Sequence, residues 1–283
     1  MSGIDADSIP IRRSYERDVV QPLKKWNGGL VTEFNNVTYG SHVYPLLAME
    51  YLNVFVPKNS TVLISGGVHG DEPAGVYAVL DFLREEADQY TDRMNMIVLP
   101  CINPSGFEAN KRKTMNGKDL NRLFGTGSDQ PEIRSAEEYL ARLQMRFRIT
   151  LDCHEDGPTD EMAEEGVTGA DVPPGCYVYE NMVDTKRRIG RALIHALPPS
   201  VEVCTAPIVY GDTNDQGVIA YPEANGNPFY AKGTSFDAYL LDHWTDHSLT
   251  METSMLWSME KRIEVHRTWI RTALDLILRE RVQ

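Results

Sequence analysis

A chain of 283 residues is long enough for one large domain with a full core. Its 42% hydrophobic and 24% charged content is ordinary for a globular protein, and its formal net charge of −13 argues against nucleic acid or an anionic membrane surface as partner. No apolar run reaches a membrane span, the start lacks the apolar region of a signal peptide, and Cys101, Cys153, Cys176 and Cys204 are expected as reduced, mostly buried thiols of a cytoplasmic protein.

In chain order, residues 1–60 read as a lead-in followed by an antiparallel pair, Val31–Tyr39 and Val43–Val56, rich in β-branched and aromatic residues around Gly40-Ser41. A buried strand, Thr61–Ser65, runs into Gly66-Gly67-Val68-His69-Gly70-Asp71-Glu72. Pro73 suits the first turn of the next helix, whose Val76, Leu80 and Leu83 recur at helical spacing. A second apolar strand, Met96–Pro100, ends at Asn103-Pro104-Ser105-Gly106, which reads as a turn.

Further on, a helix is expected over Ser135–Phe147, a strand over Arg148–Cys153 and a helix over Thr185–Leu197. Val209–Lys232 reads as a long functional loop. Strand-like Ser248–Met251 leads to Glu252, and a final helix covers roughly Met255–Leu278, with Met259, Ile263, Ile270, Leu274 and Ile277 as its apolar stripe. Strands alternating with helices predict one α/β domain over 1–283, its mixed and largely parallel sheet covered by helices on both faces.

The polar residues fall in a pattern. His69, Asn103, His154 and Glu252 each follow an apolar strand at its carboxyl end, the edge where open α/β sheets bind ligands. His69 and Glu72 supply an imidazole and a carboxylate from one strand-to-helix turn, and His154 supplies a third ligand. A catalytic zinc needs three protein ligands and one open position. The plainer reading of Asp71-Glu72 alone is a pair of acids at a helix start. Glu252 is costly to bury without a use, and beside a metal-bound water a carboxylate serves as general base. The cationic stretch Lys111–Arg122 suits capture of a carboxylate, or else is a solvated loop. His243 and His247 are not expected to bind metal, and His42, His195 and His266 are expected on the surface or on helix faces.

Together these motifs resemble the zinc carboxypeptidase family, the M14 metallopeptidases. They are His69-x-x-Glu72, Asn103-Pro104-Ser105-Gly106, Arg112-Lys113, Asp119-Leu120-Asn121-Arg122, His154 and Glu252-Thr253-Ser254. The block Gly117–Arg122 is similar to the small bacterial murein peptide amidases of that family. The resemblance implies a carboxypeptidase-like fold and one Zn²⁺ held by His69, Glu72 and His154. It implies Glu252 as general acid/base, Arg112 as the group that polarises the scissile carbonyl, and Asn121 and Arg122 as the grip on the terminal carboxylate. Asp119 would orient His69, Tyr230 would close over the substrate, and Phe236 would face the pocket for the released side chain. The interval from Glu72 to His154 is shorter than in the digestive-type enzymes, which implies a trimmed scaffold.

The expected activity is hydrolysis of a C-terminal peptide bond, in a peptide or a murein-type peptide. The alternative is an N-acyl amino acid amidohydrolase of the succinylglutamate desuccinylase/aspartoacylase type, which shares the ligand pattern. A binding protein that has kept the fold is the third possibility. Ile149–Asp184 holds many acids and no Lys or Arg, so a substrate bearing an amine would be favoured if this stretch borders the cleft.

Overall fold

The computed structural model describes residues 13–158, 172–221 and 234–280. After a short helical entry ending in α1 (Gln21–Lys24), strands β1 (Leu30–Tyr39) and β2 (His42–Tyr51) form an antiparallel pair. Next come β3 (Thr61–Gly66), α2 (Pro73–Glu85), β4 (Asn95–Leu99), α3 (Pro104–Ala109), α4 (Pro131–Leu143) and β5 (Thr150–Asp156). The later elements are β6 (Tyr177–Met182), α5 (Gly190–His195), the small hairpin β7 (Ile208–Val209) and β8 (Asp212–Thr213), and β9 (Val218–Tyr221). The last three are α6 (Phe236–His243), β10 (His247–Ser254) and α7 (Met259–Arg279).

Eight strands make one sheet in the order β1-β2-β4-β3-β5-β10-β6-β9. The centre is parallel, since β3 pairs with β4 and β5, and β5 with β10. The pairs β1/β2, β2/β4 and β6/β10 are antiparallel. Alternate residues of each central strand serve opposite faces. Val62, Ile64, Val98, Leu151 and Met251 join Val79, Phe82, Trp269 and Leu274 of α2 and α7. Leu63, Ile97 and Leu99 join Ala136, Leu140, Phe236 and Leu240 of α4 and α6. The result is a single α/β domain of carboxypeptidase-like architecture with helices on both faces. Each fully buried large side chain contributes about 1.5–3 kcal/mol of apolar transfer.

Several elements differ from the sequence expectation, each for a local reason. Asn103-Pro104-Ser105-Gly106 opens helix α3: the Asn103 side chain accepts the Gly106 N–H at 2.9 Å, a capping bond. The expected helix over Thr185–Leu197 is broken into a 3-10 turn at Thr185–Arg187 and α5. Its break is held by Glu180, which accepts the N–H groups of Ile189 and Gly190. Strand β6 was not legible as a strand, and the described part of the expected loop holds β7, β8 and β9. His266 lies on a face of α7, within the expectation, but on its fully buried side, whereas His42 and His195 are exposed. All four cysteines are free and buried, and among the described residues no helix is long and apolar enough to cross a membrane.

Candidate metal centre and cleft

The glycine-rich turn after β3 is shaped by close backbone approach. Gly67 has φ +63°, and a Cβ on Gly70 would lie 2.0 Å from the carbonyl carbon of Gly106. Only residues without a Cβ let these segments meet. The contact seats the loop behind the centre: the Arg112 carbonyl accepts the Gly70 N–H at 3.3 Å and the Asn103 amide at 3.1 Å. The strand-end Asn103 thus serves to fix Arg112.

His69, Glu72 and His154 come together at the carboxyl ends of β3 and β5, each no more than 3% exposed. One ligand atom from each lies within 4.8 Å of the other two. Both imidazoles turn Nδ1 inward. His69 Nδ1 is 2.6 Å from Glu72 Oε1, and His154 Nδ1 is 2.7 Å from Glu72 Oε2. Both turn Nε2 outward to a carboxylate, Asp119 Oδ1 at 3.3 Å for His69 and Asp152 Oδ2 at 2.9 Å for His154. Two imidazole nitrogens, one carboxylate and an acid behind each ring are the donor set and support that zinc takes. The cluster fits a single catalytic zinc ion.

Electrostatics agree. Burial alone would raise the Glu72 carboxyl, yet the two histidines hold it well below the usual carboxylate range. Burial would lower His154, but Asp152 and Glu72 bring it well above the usual range. Asp119 is likewise lowered despite its burial, by its bond to His69 and by the charge of Arg112. The Glu155 N–H donates to Glu72 at 3.0 Å, while the Glu155 carboxylate accepts the Ala74 N–H and pairs with Arg262 of α7 at 2.5 Å.

The centre opens into a cleft of about 460 Å³ that reaches Arg112, Asn121, Arg122 and Glu252. Arg112 Nη1 is 3.2 Å from His69 Nδ1, and Nε donates to Asp119 at 3.1 Å. Glu252 lies beside His154 across the β10/β5 ladder. Its carboxyl is pushed well above the usual range by burial, with His154 acting the other way. Asn121 Oδ1 accepts the Phe236 N–H at 2.8 Å, and Arg122, exposed at the cleft edge, donates to the Asn121 carbonyl.

Phe236 does not face the cleft. It is fully buried, its ring 4.5 Å from that of Phe124, because the first turn of α6 directs it into the layer shared with α4. Its neighbours Ser235 and Asp237 line the cleft instead. Tyr230 lies outside the described residues. Tyr210, which shares the expected loop, lines the cleft at φ +50° and donates to Asp156 at 2.8 Å; Tyr177 donates to the same carboxylate at 2.7 Å. Asp152, Thr250, Tyr177, Tyr179 and Asp237 were not singled out in the sequence as site residues. Only the alternation of β5 and β10, which puts Asp152 with His154 and Thr250 with Glu252, signals two of them.

The fold is of carboxypeptidase-like architecture, and the His69, Glu72 and His154 centre has the donor set of a single catalytic zinc site. By sequence, residues 58–168 match the family model of the succinylglutamate desuccinylase/aspartoacylase catalytic domain. Human Carboxypeptidase D is 26% identical over 141 residues, 43% of this chain and 10% of that protein. An N-alpha-acetyl-L-2,4-diaminobutyric acid deacetylase of Halomonas elongata is 30% identical over 105 residues, 36% of this chain and 30% of that one. The chain therefore spans only a small part of the curated relatives it matches. Among solved structures, a candidate metallopeptidase of Shewanella amazonensis aligns with TM-score 0.72 and 23% identity over 93% of this chain and 92% of that one. A succinylglutamate desuccinylase/aspartoacylase of Rhodobacter sphaeroides aligns with TM-score 0.53 and 18% identity, over 82% and 59%. These two likenesses concern the fold.

Proposed function

We propose that the chain is an N-acyl amino acid amidohydrolase, cleaving the amide between an acyl group and an amino acid whose carboxylate is free. The observation that carries this reading is one cleft in which Arg112, Asn121 and Arg122 stand beside the His69–Glu72–His154 cluster, with Glu252 next to His154. The family match supports it, since residues 58–168 contain all three ligands and the cationic loop. The Halomonas relative is named for the deacetylation of an N-acetyl amino acid.

His69, Glu72 and His154 would hold zinc, which when bound would supply Lewis acidity and an activated water. Glu252 takes the proton of the attacking water and passes it to the departing amine. Arg112, held by Asp119, is set to stabilise the oxyanion that develops on the carbonyl, an effect often worth several kcal/mol. Asn121 and Arg122 grip the substrate carboxylate, Arg122 as a charged fork. Asp119 and Asp152 keep both histidines with Nδ1 inward.

A C-terminal peptide bond is the second reading, because the same bond is broken and a cleft of about 460 Å³ has room beyond a short acyl group. The Carboxypeptidase D relative favours it. The deciding experiment is a panel of N-acetyl and N-succinyl amino acids, free C-terminal peptides and a γ-glutamyl-diaminopimelate peptide, assayed with zinc. Turnover of acyl amino acids above peptides is expected; the reverse order would establish the second reading.

A further inference from the structure

Successive residues of β5 serve opposite faces of the sheet. His154 and Asp156 line the cleft, while Leu151 and Cys153 join the apolar layer under α2 and α7. Glu155 follows Cys153 on that inner face, and its side chain is wholly out of solvent. Its Oε1 accepts the Ala74 N–H of α2 at 2.6 Å, and its Oε2 accepts Arg262 Nη1 of α7 at 2.5 Å. An apolar pair of like volume would fill this space without desolvating two charges. What it would lack is an acceptor for Ala74.

That acceptor matters because of how α2 begins. The first N–H groups of a helix have no partner within it, and the side chain of the N-cap residue normally accepts one of them. Here the N-cap residue is Glu72, with Pro73 first in the helix and Ala74 second, yet Glu72 makes no capping bond. Its two oxygens are turned to His69 and His154. Pro73 has no N–H to satisfy, so Ala74 carries the first orphan donor, and Glu155 takes it from the neighbouring strand. The exchange is reciprocal, since the Glu155 N–H donates to Glu72 Oε2 at 3.0 Å.

We propose that Glu155 is a surrogate N-cap for α2, and that Glu155 and Arg262 are positioning residues for the metal centre. By capping the helix from β5, with Arg262 holding the cap in place from α7, they leave both oxygens of Glu72 to the centre. Without them the Ala74 N–H is orphaned, and Glu72, two residues away, becomes the carboxylate that can satisfy it. An oxygen turned to that N–H is lost to the imidazoles. The inference rests on the zinc centre and on neither substrate reading, and its test needs no turnover.

The experiment compares two double variants that share Arg262→Met, so that neither leaves a buried cation unpaired. Glu155→Gln keeps an acceptor within reach of Ala74, and Glu155→Leu removes it. Zinc affinity is read by competition with a chromophoric chelator. The glutamine pair is expected to hold zinc as the parent does, and the leucine pair about 10- to 100-fold more weakly. Equal affinities in the two pairs, at the parent's level or below it, overturn the proposal. Should the leucine pair fail to fold, hydrogen exchange at the Ala74 amide of the parent decides. Slow exchange, with zinc and after its removal, is expected; exchange at the rate of a solvent-exposed amide overturns the proposal. A parent that takes up no zinc refutes the centre itself, whereas equal affinities refute only the role of Glu155.

Discussion

Asp152 and His154 stand two residues apart on the same face of β5, with Asp152 Oδ2 2.9 Å from His154 Nε2. The strand's own pleat delivers the supporting acid along with the ligand. His69 obtains the equivalent acid, Asp119, from a loop fifty residues further along the chain. Asp152→Asn should therefore lower zinc affinity by about 10- to 100-fold, with the fold retained. Competition with a chromophoric chelator measures this, and an unchanged dissociation constant would show that the bond does not orient the ring.

Glu252→Gln removes the proposed base while leaving its shape. Loss of kcat by a factor of about 10² or more is expected, with zinc content equal to that of the parent. A variant that keeps both its zinc and its rate would take Glu252 out of the mechanism.

Gly70 meets Gly106 so closely that an added Cβ would lie 2.0 Å from a backbone carbon. No side-chain movement relieves a contact with main chain. Gly70→Ala should cost about 3 kcal/mol and weaken zinc binding, since the turn carries His69 and bonds to Arg112. Thermal unfolding with and without zinc tests both parts, and an unaltered Tm in either condition would contradict this packing argument.

His266 is buried behind β10, with Nε2 3.1 Å from the Thr253 hydroxyl. Burial, aided by the nearby His154 charge, brings its imidazole from 6.5 down to about 3. The unfolded chain thus takes up this proton as pH falls below 6.5, while the native state does so only near 3. Stability from this group is complete above 6.5 and declines below it, by at most about 1.4 kcal/mol per pH unit. Urea unfolding at pH 7 and pH 5 should show a shallower decline in His266→Gln than in the parent protein. Parallel declines would assign the acid sensitivity to other groups.

How much was legible depended on where each residue's partner lies. His69, His154 and Glu252 stand at or just past the ends of apolar strands, so periodicity alone brings them to one sheet edge, and Glu72 follows His69 on the same strand-to-helix turn. The α/β alternation and most strands followed from the same periodicity. Glu180 shows the opposite case. It sits within β6, and its burial makes sense only with His247, 2.8 Å away, and the N–H groups of Ile189 and Gly190. Without those distant partners, Tyr177–Met182 does not read as an interior strand. Phe236 failed for a related reason: which side of α6 meets the cleft is set by packing against Phe124, a contact across more than a hundred residues.

The position of β10 has a consequence for how the protein is made. Among the described strands it comes last, yet it lies between β5 and β6 in the middle of the sheet. Until it inserts, the parallel block from β4 to β5 and the β6–β9 pair have no ladder joining them, and Glu252 is not beside His154. The Thr150–Ser248 hydroxyl bond, closed at 2.9 Å, spans 98 positions of chain. Closure over such a span is slow compared with local pairing. During synthesis the growing chain therefore carries an open slot lined by unpaired backbone on two strands. Glu252, the proposed base, and the ligand His154 come side by side only when this strand takes its place in the sheet.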